Sequence, residues 1–348
     1  MKTAGNNTYR EINSQPLAWG ECLERISHID LGSFPKREDF DQIIFTGCGS
    51  TFYLSLWAAR ATQTATGRHC LAVPSSELWL NPEAWLVPTQ KCLVIAISRS
   101  GSTSETVAAV KRLNQNENGA SIVITCYPDS ELAGLSPARI TLPDAQEVSI
   151  AQTRSFTSMM LAAAYLAESS YPPSLYKELI NQAQSLFQRE KHTASAYGKD
   201  KGISRFFFLG SGARYGLACE AMLKMKEMSL SYSEAYHFLE FRHGPMSMVD
   251  SNSLVVGLLG RQATSYEIDV LKDMRDLGSK VLALGPKQAA DSVHWLDHFI
   301  ALETDELGML GEVLYMPILQ LIAFERALTN DRDPDKPNNL TAVVVLEA

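Results

Sequence analysis

The stretch Ile43-Ile44-Phe45-Thr46-Gly47-Cys48-Gly49-Ser50-Thr51-Phe52 decides the fold. A short apolar run, unbroken by charge, ends in a Gly-x-Gly turn and passes straight into a helical pattern. A strand buried on both faces reads this way when a crossover helix follows it. Two similar runs come next, at 93–97 and 121–125, and the segments between them, 51–62 and 103–113, place apolar residues three and four apart, as crossover helices do. Gly119 is expected to close the second helix in a left-handed cap.

The pattern then begins again. Phe206-Phe207-Phe208-Leu209 leads into Gly210-Ser211-Gly212, and an offset of 163 (Gly47 to Gly210) lays Gly210, Gly212, Tyr215, Leu217 and Ala221 on Gly47, Gly49, Phe52, Leu54 and Ala58. The run 254–259, the helix 266–277, Gly278 and the run 280–284 repeat the later elements. Between the halves, 154–169 reads as an apolar helix, Tyr171-Pro172-Pro173 breaks it, and a polar helix continues to about Thr193. The expected fold class is α/β, with two duplicated, doubly wound parallel-sheet domains. Residues 1–35 are expected to form a helical extension packed on the first sheet. The first domain should cover 36–195, and the second, with a carboxyl-terminal tail, 196–348.

Composition narrows the function. A hydrophobic share of 45% with 20% charged residues excludes a disordered chain. A net charge of −8 makes most of the surface repel a phosphodiester polymer, so no nucleic-acid partner is expected. The six cysteines form no C-x-x-C pair and have mostly apolar neighbours, which reads as buried reduced thiols, with no metal and no cofactor. Residues 1–10 lack the apolar run of a signal peptide, and no uninterrupted stretch of about 18 apolar residues occurs. No membrane partner is expected, and the cytoplasm is the expected location.

In open α/β sheets ligands bind beyond the carboxyl ends of the strands, where loops run into helix amino termini. Ser98-Arg99-Ser100-Gly101-Ser102-Thr103 holds such a place. Its alternating hydroxyls, a glycine that lets the backbone approach, and a helix start with free N–H groups suit a dianionic monophosphate. The alternative is a serine-rich turn whose hydroxyls only cap the helix. The matching turn of the second half, Gly260-Arg261-Gln262-Ala263-Thr264-Ser265, lacks alternating hydroxyls, so one phosphate site per chain is expected. Ser50 and Thr51 offer hydroxyls to sugar or phosphate oxygens, unless Gly47-Cys48-Gly49 is only a tight turn. Gln152, in the polar approach to an apolar helix, either touches ligand or caps. Glu227 and His243 are the candidate proton-transfer groups. A solvated helix carboxylate is the competing reading for Glu227. His243, held before the Gly244-Pro245 turn, is suited to proton transfer near neutral pH or is an ordinary surface histidine.

These motifs also carry a resemblance. Ser98-x-Ser100-Gly101-x-Thr103, the paired Gly-x-Gly turns, Lys224-Met225-Lys226-Glu227, Ser233-Glu234-Ala235-Tyr236, Glu240-Phe241-Arg242-His243-Gly244-Pro245 and Asp333-Pro334-Asp335-Lys336-Pro337-Asn338-Asn339-Leu340 occur in family order. Over roughly residues 10 to 348 the chain resembles tandem sugar isomerase (SIS) domain proteins, with their flavodoxin-like sheets. Similar proteins include the isomerase half of glucosamine-6-phosphate synthase, stand-alone aminosugar-phosphate deaminases and ketose/aldose isomerases. The resemblance implies that Ser98, Ser100 and Thr103 hold a sugar phosphate, with Arg99 in the same loop and Ser50 and Thr51 nearby. It further implies that Gln152 lies by the sugar, Lys224 near its hydroxyls, that Glu227 moves a proton between C1 and C2, and that His243 opens the ring. A homodimer is implied, the His243 loop reaching the partner's active site.

The implied reaction converts a hexosamine 6-phosphate, of glucosamine or galactosamine, to a ketose 6-phosphate and ammonia. Plain ketose/aldose isomerisation, cleavage of a fructosamine 6-phosphate, and non-catalytic sugar-phosphate binding are the alternatives. A transcriptional sensor would need a helix-turn-helix, for which residues 1–35 have no room. Two departures stand out. No amidotransferase domain precedes the first sheet and no cysteine follows Met1, so glutamine is not the expected ammonia donor within this chain. Ala342 falls where the synthases carry a Schiff-base lysine, which argues against a covalent imine; Lys336 is the nearest amine.

Overall fold

The computed structural model of the chain describes residues 4–168, 171–261, 264–296, 298–304, 306–344 and 346. It contains two five-stranded sheets, each parallel throughout. The first comprises β1 (Gln42–Gly47), β2 (Cys70–Pro74), β3 (Cys92–Ser98), β4 (Gly119–Thr125) and β5 (Arg139–Thr141), in the order β2-β1-β3-β4-β5. The second comprises β6 (Arg205–Gly210), β7 (Tyr232–Tyr236), β8 (Ser253–Leu258), β9 (Lys280–Pro286) and β10 (Phe299–Leu302), in the order β10-β9-β8-β6-β7. Counted from its own first strand, each sheet has the same order, the flavodoxin-like arrangement in which the strand order reverses between the first and third strands. The duplicated, doubly wound α/β fold read from the sequence is the fold observed.

Burial explains why these runs became strands. β1, β3 and β8 are buried along their whole length, and Phe206, Phe207, Phe208 and Leu209 of β6 are at most 1% exposed. Helices cover both faces of such strands, so no position is left for an alternating polar side chain. Gly119 does not form a left-handed cap. It opens β4, and a Cβ there would lie 2.8 Å from a methyl of Leu113, so a close approach to the preceding helix explains the glycine. Its counterpart Gly278 does take a positive φ, of 91°.

Two compact units result, and their membership differs from the expected boundaries. One unit holds Leu17–Glu147, Arg154–Tyr176 and Thr341–Ala348, and with them the first sheet. The other holds Met1–Pro16, Val148–Thr153 and Lys177–Leu340, and with them the second sheet. The expected extension over 1–35 is thus split. Trp19, fully buried, donates its indole N–H to Thr157 (2.9 Å) within the first-sheet unit. The helix Asn6–Asn13 instead packs within the second-sheet unit, the Tyr9 ring lying 5.4 Å from that of Phe324. No break occurs between 195 and 196 either, because the helix Pro173–Lys199 runs through it. Its buried stripe Leu179, Ala183, Leu186, Glu190 and Ala194 recurs every three to four residues and belongs to the second-sheet unit.

Among the described residues one helical run, Gly308–Thr329, is long and apolar enough to cross a membrane by composition, with a mean hydropathy of 1.3. It is 78% buried inside the fold, as the core helix of its unit. All six cysteines are free thiols, five of them buried, and burial pushes Cys22 and Cys92 up to about 12.

Candidate active site

The strand order reverses between β1 and β3, the place where such sheets bind ligands, and the loop after each of these strands carries glycine. After β1, Gly49 takes φ 57° and ψ −125°, a conformation that suits glycine, and starts the helix Ser50–Thr66. The Thr51 hydroxyl accepts from Cys48 N–H and donates to the Cys48 carbonyl, both at 2.9 Å. Thr51 is therefore engaged in holding the turn, and both Ser50 and Thr51 are buried.

After β3, the loop 98–103 folds on its own hydroxyls. Ser98 Oγ accepts from Gly101 N–H (3.1 Å) and lies 3.4 Å from Thr103 Oγ1, while Ser100 Oγ accepts from Ser102 N–H (3.2 Å). Gly101 has φ 63°, and a Cβ on it would come within 2.0 Å of Ser130 Oγ, so only glycine fits. Thr103 is the N-cap residue of the helix Ser104–Leu113, yet its side chain makes no capping hydrogen bond. Thr103 thus does not cap the helix, while Ser98 and Ser100 tie the turn to itself. All three belong to the loop that leads into a helix start, which carries partial positive charge.

Arg99 is engaged by groups of its own unit. It is 7% exposed, its guanidinium lies 3.8 Å from the fully buried Glu147 carboxylate, and its Nη2 donates to the Ala342 carbonyl at 2.9 Å. The tail continues across the loop, Val344 accepting from Ser104 N–H (3.3 Å) and Leu346 N–H donating to Ser104 Oγ (2.9 Å). At position 342, where the resemblance places a lysine, the exposed alanine contributes its backbone carbonyl to Arg99.

The second sheet repeats the geometry and fills its crevice. Gly212 after β6 has φ 58°, matching Gly49. The Arg214 guanidinium comes within 2.1 Å of where a Gly260 Cβ would stand, and it bonds Glu312 at 3.1 Å. Tyr315 donates its hydroxyl to the Leu259 carbonyl. Side chains of the protein thus occupy the place that is lined with hydroxyls in the first sheet. Gln262 and Ala263 of the corresponding turn lie outside the described residues.

The proton-transfer candidates sit in the second-sheet unit. On the helix Arg214–Ser229, Glu220, Lys224 and Glu227 fall on one face at four- and three-residue spacing. The Lys224 side chain is fully buried, 3.3 Å from Glu220 Oε1 and hydrogen-bonded to Glu227 Oε2. Burial alone would lower the Lys224 ammonium, but the carboxylates of Glu220 and Glu227 outweigh it and hold its pKa above the ordinary value. Glu220 is fully buried, whereas the Glu227 side chain is 19% exposed. Glu227 is therefore a fixed carboxylate with one open side, not the freely solvated one weighed above. Glu220 was missed in the sequence, although its four-residue spacing from Lys224 is legible there.

His243 is exposed, and its side chain makes no hydrogen bond among the described residues. Its N–H bonds the Glu240 carbonyl at 3.0 Å, Gly244 beside it takes φ 123°, and Arg242 is tied to Asp273 at 2.8 Å. The backbone of this loop is thus fixed while the imidazole projects. Gln152, in the segment Val148–Thr153, has a buried Oε1 with no hydrogen-bond partner among the described residues.

A family model described as SIS domain matches residues 38–169 and 202–309. D-galactosamine-6-phosphate deaminase AgaS of Escherichia coli O157:H7 is 27% identical over 359 residues, covering 96% of this chain and 92% of the relative. Glutamine–fructose-6-phosphate aminotransferase (isomerizing) of Methanothermobacter thermautotrophicus is 24% identical over 97% of this chain, which spans 57% of that relative's length. Among solved structures, glucosamine-6-phosphate deaminase of Thermotoga maritima superposes with a TM-score of 0.81 at 26% identity, over 98% of this chain and 100% of that one. Both sheets are matched, each with its glycine turn at the point of reversal, and the chain belongs to the SIS domain family.

Proposed function

We propose that the protein is a phosphosugar isomerase and deaminase, acting on a hexosamine 6-phosphate of the glucosamine or galactosamine type. The hydroxyls of Ser98, Ser100 and Thr103 hold the phosphate, and His243 assists ring opening to the free aldehyde. Glu227 takes the proton from C2 and returns it to C1, through an enolamine. The resulting C2 ketimine adds water and expels ammonia, leaving the ketose 6-phosphate. The observation that carries this reading is the loop 98–103 at the point of strand reversal, where the Ser98, Ser100 and Thr103 hydroxyls lead into the start of the helix Ser104–Leu113 and Thr103 does not spend its own on a cap. The likeness to two aminosugar-phosphate deaminases supports the amine as leaving group.

The test is incubation with glucosamine 6-phosphate, galactosamine 6-phosphate and a ketose 6-phosphate, with ammonia and sugar products assayed together. Ammonia released in step with ketose 6-phosphate is the expected result. Interconversion of ketose and aldose with no ammonia from either hexosamine would replace deamination by plain isomerisation.

We also propose a homodimer in which the projecting His243 serves the partner's site. Mixing inactive His243→Ala chains with inactive Glu227→Gln chains should then restore up to about a quarter of wild-type activity, because random pairing rebuilds one intact site in half the dimers. No recovery on mixing, with exchange of subunits verified by mass, would place His243 in its own chain's site.

A further inference from the structure

The segment Val148–Thr153, which carries Gln152, is fastened at both ends by buried polar side chains of its own unit. At its start, Glu11 Oε1 accepts from Val148 N–H (2.6 Å) and Glu11 Oε2 from Ser149 N–H (3.2 Å). Glu11 is 0% exposed, a cost accepted only for a carboxylate that is well bonded. At its end, the Thr153 carbonyl accepts from Gln320 Nε2 (3.3 Å), and Gln320 in turn accepts from Gln15 (3.0 Å). Between these fastenings the Gln152 Oε1 is the buried acceptor left without a donor among the described residues.

Glu11 is itself held from far along the chain. Its helix, Asn6–Asn13, begins at Gly5 with no cap from a local side chain. Asp333 accepts from Gly5 N–H (2.8 Å), and Asp335 accepts from Asn7 N–H (3.0 Å), Thr8 N–H (2.8 Å) and the Thr8 hydroxyl (2.7 Å). Two carboxylates thus satisfy the open N–H groups of a helix start, where negative charge is favoured. Asp335 fixes the helix, the helix fixes Glu11, and Glu11 fixes the two peptide N–H groups that precede Gln152.

The geometry points to Glu11 as a positioning residue that holds the segment Val148–Thr153, so that the accessible part of the Gln152 side chain meets a polar group of the bound sugar. This role rests on the phosphosugar reading given above.

The test joins amide hydrogen exchange to a double-variant cycle. In Glu11→Gln, exchange at Val148 and Ser149 should quicken, and kcat/KM for the phosphosugar turned over best should fall about 10- to 100-fold. Inorganic phosphate should still protect the loop 98–103 as in wild type. The same Glu11→Gln change placed on Gln152→Ala should cost less than threefold more, since the group being aimed is gone. Full additivity of the two losses would overturn the role, because a general structural defect adds whatever stands at 152. Should Glu11→Gln fail to fold, Asp335→Asn loosens the same helix from its amino-terminal end and must show the same non-additivity. If the wild-type protein turns over no phosphosugar, the functional reading has failed. Glu11 is then judged by exchange alone, and unchanged protection at Val148 and Ser149 overturns its hold on the segment.

Discussion

Glu227→Gln is expected to lower turnover by about 10²- to 10⁴-fold, the usual contribution of a positioned acid–base group, while the phosphosugar still binds. The substitution keeps the shape of the side chain and removes its capacity to take the C2 proton. Folding should survive it, because Lys224 keeps the fully buried Glu220 carboxylate 3.3 Å away. Binding should survive it as well, since the proposed phosphate contacts come from Ser98, Ser100 and Thr103. Isothermal titration with a hexosamine 6-phosphate and a single-turnover ammonia assay separate the two quantities. Turnover equal to wild type would remove Glu227 from the chemistry and reduce its pair with Lys224 to a structural contact.

What the sequence discloses follows from how locally each feature is determined. Central strands such as β3 and β6 are buried on both faces, so the chain can use only apolar residues there, and the runs are plain. Edge strands obey no such rule. β5 is three residues long and carries Arg139, and β7 contains Glu234. In β7 the Glu234 carboxylate accepts from the hydroxyls of Tyr232 (2.7 Å) and Tyr236 (2.6 Å), two residues away on either side. Such a strand satisfies its polar group along one face and never presents an apolar run. The loop 98–103 was legible for the opposite reason: its hydroxyl spacing, its glycine and the helix it starts are all adjacent in sequence.

The composition of the two units was not legible, because it is decided by contacts across nearly the whole chain. Nothing within residues 1–35 tells that Gly5, Asn7 and Thr8 will be capped by Asp333 and Asp335, so the whole extension was assigned to the nearer sheet. Gln152 could be suspected from its place before an apolar helix. That its segment hangs on a buried glutamate from the first helix could not.

Lys224→Met is expected to destabilise the protein by about 3 to 5 kcal/mol, the typical result of removing one partner from a buried ion pair. The reason is Glu220: its side chain and that of Lys224 are both fully buried, so the methionine leaves a carboxylate facing an apolar neighbour. Glu220→Gln on the same background should recover most of that loss, as it removes the stranded charge. It should not recover activity, since Glu227 would still lack the ammonium that fixes it, and this separates the structural share of Lys224 from its share in the chemistry. The pH dependence has a definite sign. The Lys224 ammonium is held above its ordinary 10.5, so its stabilisation is fully present below that pH and is lost as pH rises through the higher folded value. Urea denaturation of the wild type should therefore show this contribution undiminished through neutral pH and lost only in strong alkali. A wild-type stability that instead rises from neutral pH into mild alkali would mean that this lysine is neutral when folded, and no ammonium would then stand beside Glu227.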